Sequence, residues 1–206
     1  MCDLPGCPAN DDQPEEVTPE NRNRMRLECT SAAMHSMSLF AKGWTQGAQG
    51  VLADISDSWG FAGITRTMYC LSLAAGILPT PKELVVRATP ESIREKLTKV
   101  AGEEVANSMT THMVVVGDQI NAAFEELCAI AVKGDEATFD ARFDTVTDQE
   151  NVLQPLLATL MMYGSMSFSA AQRNENTFAL DQLQTAMRVG IDLGDNDEAR
   201  AQLVTG

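Results

Sequence analysis

The sequence predicts an all-α fold: an irregular bundle of about seven to nine helices around a long central helix at about 103–133, with a disordered tail in front. Three observations carry this. Apolar residues recur at steps of three and four almost throughout the chain after residue 18. Proline, glycine and capping residues fall at the ends of those runs. No stretch alternates apolar and polar residues as a half-buried strand requires.

The chain has 206 residues, of which 44% are hydrophobic and 21% charged. That excludes wholesale disorder. A chain of this size buries about 70% of its unfolded surface, enough for a core without metal or disulfide staples. Residues 1–18 are the exception. They hold Pro5, Pro8 and Pro14, five acids and no Lys or Arg, so little offsets the entropy of ordering them. The expected organisation is this tail followed by a single helical domain over 19–206.

Thr18-Pro19-Glu20 opens the first helix, with Thr as cap, Pro at the first helical position and Glu at the positive helix end. Met25, Cys29, Ala32, Ala33, Met37 and Phe40 form its stripe. Ala48, Leu52, Ile55 and Trp59 form a second, and Phe61, Ile64, Met68, Leu71 and Ala75 a third, closed by Gly76 and Pro79. After a connection over 79–90, Thr89-Pro90-Glu91 opens a helix through Ile93, Leu97 and Val100. Val105, Met109, His112, Val116, Ile120, Ala123, Leu127 and Ile130 then trace one face of the long helix, about 45 Å in length. Gly102 marks its start, and Lys133-Gly134 suits its end.

Asp135 caps a short helix carrying Phe139 and Phe143. Thr147-Asp148-Gln149-Glu150 reads as a capping box for the next helix, which bears Leu153, Leu156, Leu157, Leu160, Met161 and Phe168. The segment 151–172 has no charged residue and is long enough for a bilayer. Its Gln154, Pro155 and three serines favour a core helix, expected to be the most buried of all. Phe178, Leu180, Leu183 and Met187 mark the next helix, stopped near Gly190 and Gly194. Asp195 caps a last short one reaching Leu203.

The net charge is −14, from 15 basic and 29 acidic residues. Residues 1–21 hold six acids and no base, so the rest carries −8. This balance excludes binding nucleic acid through its phosphates, which needs clustered positive charge. Five scattered cysteines and an N-terminus without a basic or apolar leader segment point to a reducing, cytoplasmic setting.

Few residues suggest chemistry. Cys2 and Cys7 resemble half of a zinc knuckle. Cys29 and His35 stand six apart on a helix and cannot complete it, which leaves a mobile thiol pair. With His35 and His112 as the sole histidines, a catalytic triad or three-His metal site lacks material. Gly43, Gly47 and Gly50 lack the Lys-Ser/Thr of a phosphate loop and serve bending or close packing. The carboxylates Glu103-Glu104, Glu125-Glu126 and Asp140 with Asp144 read as solvated faces. No catalytic residue, metal ligand or cofactor is expected.

The first functional expectation is a non-enzymatic helical protein acting by self-association, as a dimer, or by docking another protein. It rests on the long helix's broad stripe. The second is a small-molecule binder with an apolar, methionine-lined cavity between helices, with His112, Met109, Met161 and Tyr163 as candidate lining residues. The third is an acidic inhibitor that occupies a basic partner.

Overall fold

The structure is a computed structural model. It describes residues 13–79, 98, 103–148, 152–189 and 191, with backbone alone for 45 and 104–116. Among the described residues there are six helices and no strand, so the class is all-α and the helix count falls below the seven to nine expected.

Helix α1 spans Arg22–Ala41. Its entry is the one read from Thr18. The Thr18 N–H donates to Asn21 Oδ1 (2.7 Å) and the Asn21 N–H donates to Thr18 Oγ1 (3.4 Å), a reciprocal cap with Asn in the place usually held by Glu. Helix α2 spans Thr45–Ile77 and accounts for the second and third stripes together. They are two arms of one helix, kinked at Gly60, whose φ of 59° and ψ of −146° suit glycine alone. This merger lowers the helix count.

The long helix, α3, spans Glu103–Val132 as expected. Gly134 ends it with φ 76°, its N–H donating to the Ala131 carbonyl at 2.9 Å. Helix α4 spans Glu136–Thr147, and Asp135 accepts from the Thr138 N–H at 3.0 Å. Helices α5 (Leu153–Arg173) and α6 (Thr177–Arg188) follow. Asn176 caps α6 by accepting from the Ala179 N–H.

Three expectations about helix ends and the central helix need correcting. Thr147 does not open a capping box: its hydroxyl donates back to the Phe143 carbonyl at 2.8 Å, inside α4. Gly76 does not stop α2. It lies within the helix and permits its approach to α3, since a Cβ there would meet Val132 Cγ2 at 2.6 Å. Finally, α2 rather than α3 is the hub among the described residues, packing against each of the other five helices.

The second arm of α2 is also the most buried stretch described, a place expected for the helix at 151–172. Residues Thr65 through Ala74 are buried without interruption. Met68, Leu71 and Leu73 meet Phe139 and Phe143 of α4 and Leu156 and Leu160 of α5 in the main core. Gly164 lets α5 approach closely, as a Cβ there would stand 3.0 Å from the Leu71 carbonyl. A smaller cluster of Met25, Cys29, Ala32, Ile55 and Trp59 joins α1 to the first arm. Residues 13–18, assigned to the tail, sit against the kink. The Glu15 N–H donates to the Ser58 carbonyl at 2.8 Å, and Pro14 covers Gly60. The expected tail at 1–12 and the helices at 89–100 and 195–203 lie outside the described residues, apart from Thr98.

Candidate functional site

The site begins with one side chain. Arg66 is the sole charged residue in the apolar run 61–78 and is 5% exposed. A guanidinium out of water needs an opposite charge and full hydrogen bonding. Arg66 Nη1 donates to Glu136 Oε1 at 2.7 Å, and Nη2 donates to the Met187 carbonyl at 3.2 Å. That carbonyl lies in the last turn of α6, the negative end of a helix, where a cation is favoured. Arg26 of α1 donates to the other oxygen of Glu136. Four helices, α1, α2, α4 and α6, therefore meet at one carboxylate and two guanidiniums. Arg66 Nε is buried without a hydrogen-bond partner.

Tyr69, one turn on, supports the arrangement. The Arg66 guanidinium lies 4.9 Å from the centre of its ring, within cation–π range. Phe139 meets the ring edge-on at 5.2 Å, and the Tyr69 hydroxyl donates to the Ala131 carbonyl at 3.4 Å. Burial, reinforced by the Glu136 charge, pushes the phenol up to about 12. It stays protonated and neutral at physiological pH.

Above this group opens a cleft of about 750 Å³ between α1, α2 and α4. Its apolar walls include Val17, Met25, Phe61 and Ala62, and its polar lining includes Arg22, Asp140 and Asp144. Asp140 is pushed above the usual carboxylate value, first by loss of hydration in the cleft and then by Glu136, against the pull of Arg66 and Arg26. Pocket volumes of this size and mixed lining are those of small-molecule sites. A second hollow of about 720 Å³, at Glu15, Arg24, Glu28 and Trp59, is dominated by exposed polar groups.

No family model matches the sequence, and no curated protein or solved structure matches it either. The geometry alone therefore carries the functional reading.

Of the four residues expected to line a cavity, the two whose side chains are described, Met161 and Tyr163, lie outside the lining of this cleft. Met161 is buried in the main core, and the Tyr163 ring packs on Phe124 of α3 at 4.7 Å. The side chains of Met109 and His112 lie outside the described residues, as do Cys2 and Cys7. Of the methionines among the described residues, Met25 lines the cleft. Asp140 and Asp144, read as a solvated face, line it instead.

Two signals for the cleft were present in the sequence. One is the lone Arg66 in an apolar helix, because an isolated charge there must be paired. The other is the four-residue spacing of Arg22 and Arg26, and of Glu136, Asp140 and Asp144, which places each set on one helix face.

The described cysteines do not offer a nucleophile. Burial pushes Cys29 and Cys128 up to about 12 and Cys70 upward as well. All three remain thiols near neutral pH, without the thiolate that reactivity requires. Among the described residues no group of three or more His, Cys, Asp and Glu is placed to hold a metal ion. No helix among them is long and apolar enough to cross a membrane.

Proposed function

We propose that the protein binds a small molecule, and that the cleft between α1, α2 and α4 is the site. The observation that carries this reading is the cleft's combination of size and lining. A volume of about 750 Å³ with apolar walls and convergent charges at its base matches what ligand recognition needs. The reading keeps the second expectation from the sequence, a ligand cavity between helices, and centres it on the Arg66–Glu136 junction in place of His112, Met109, Met161 and Tyr163.

Fluorine NMR with a neutral aromatic probe, 4-fluorobenzyl alcohol, tests the apolar part of the cleft. The probe's line broadens in the presence of the protein, and the broadening is lost in Ala62→Trp, which fills the cleft from an exposed position on α2. Broadening that survives the substitution places the probe elsewhere and removes the support.

A further inference from the structure

The cleft holds three arginines and three carboxylates, but their pairing is uneven. Arg26 and Arg66 both engage Glu136. Among the described residues the Arg22 side chain has no ion pair, and neither do Asp140 and Asp144. An unmatched cation thus remains on the α1 side and two unmatched anions on the α4 side.

The helices gain nothing from these charges. Arg22 is the first residue of α1, at the positive helix end, and no acid follows it in that turn. Asp144 stands in the last turn of α4, at the negative end, and no base shares that turn. Glu136, Asp140 and Asp144 repel one another at four-residue steps along one face. The loss of hydration that raises Asp140 adds to the cost. Local choices that oppose the fold mark the places where something other than folding selects the residue.

Resting on the cleft being a ligand site, we propose that its ligand is a small zwitterion with an apolar side chain, of the α-amino acid class. Its ammonium pairs with Asp140 and Asp144, its carboxylate with Arg22, and its side chain lies against Phe61 and Met25. A lone anion would stand beside three carboxylates, and a lone amine beside three guanidiniums. A zwitterion offers each wall its opposite charge and enters without net charge. Charge-assisted hydrogen bonds at both ends then fix its orientation.

Three probes with one ring separate the charges: 4-fluorophenylalanine, 4-fluorophenethylamine and 4-fluorohydrocinnamate, titrated by fluorine NMR. The amino acid is expected to bind about tenfold or more tightly than either singly charged analogue. Asp140→Asn weakens the amino acid and the amine but does not weaken the carboxylate, which loses a repulsive neighbour. Arg22→Gln weakens the amino acid and the carboxylate but does not weaken the amine, which loses a repulsive neighbour. Both positions are exposed, and a retained helical circular dichroism spectrum shows that each variant folds.

An analogue that binds as tightly as the amino acid overturns the zwitterion assignment. So does failure of all three probes while 4-fluorobenzyl alcohol still binds, an outcome that leaves the cleft a ligand site of another class. Failure of all four removes both readings.

Discussion

Two arginines lie over aromatic rings of α2 at the same 4.9 Å, one on each side of the Gly60 kink. On the first arm, Arg24 covers Trp59 and pairs with Glu15, with side chains 54% and 47% exposed. On the second, Arg66 covers Tyr69 and pairs with Glu136, with side chains 6% and 22% exposed. The residue types and ring distance are alike, yet the surroundings differ. Water competes for the first pair and screens it, leaving little net stabilisation. The second pair has given up its water, so each partner depends on the other. Burial, rather than the list of contacts, decides what such a pair contributes.

Truncation separates the two most sharply. Arg66→Ala leaves Glu136 part-buried with Arg26 and strips the Met187 carbonyl of its donor. It should cost about 3–5 kcal/mol, roughly a 10 °C fall in Tm. Arg24→Ala should cost less than about 1 kcal/mol. Urea titrations of both variants measure the difference. Equal losses would show that Arg66 is hydrated in solution, and the comparison would collapse.

The same contrast explains what was legible in the sequence. Periodicity located α3 to within a residue, because its ends carry local signals such as Gly134. Asp135 and its two phenylalanines were equally legible, since a cap and a face need no distant partner. The union of two stripes into α2 was not. The stripes ending at Trp59 and starting at Phe61 lie on separate lines of spacing, and only packing against five helices shows that the axis bends at Gly60 and continues. The cleft was hidden for a related reason. Glu136 and Met187 lie 70 and 121 positions beyond Arg66, and no local pattern joins residues that far apart. Spacing alone marks Asp140 and Asp144 as one face; which neighbour that face meets is a property of the fold.

The kink offers the next test, of intermediate size. Gly60→Ala places a side chain at a backbone angle that L residues rarely adopt, and its Cβ would meet Pro14 at 3.2 Å. The expected loss is about 1–3 kcal/mol. Pro14 covers Gly60 directly, so the exposed arm's anchor loosens as well, and Trp59 fluorescence reports on it. Alanine is the better helix former by roughly 1 kcal/mol. A gain in stability would therefore show that α2 runs straight in solution and that its two arms are not distinct environments.

The smallest effect bears most directly on the cleft. Asp140 has its folded value raised above the ordinary 3.8, so folding favours its protonated form. The stability this confers is complete below the ordinary value and is lost as pH rises through the raised one. At pH 7 the wild-type chain therefore lacks it, and Asp140→Asn, which stays neutral, should recover it. The side chain is exposed enough for solvent to screen the effect, so the gain is about 1 °C in Tm, fading as pH falls through the raised value and absent below 3.8. Asp135→Asn supplies the opposite sign. Thr138 holds that carboxylate below its usual value, so neutralising it should lower Tm at pH 7 and have little effect in acid. Thermal melts at pH 7 and pH 3 distinguish the two. If Asp140→Asn makes the chain steadier than the wild type yet weakens its grip on the amino acid, the carboxylate is kept against the interest of the fold, as binding sites commonly require.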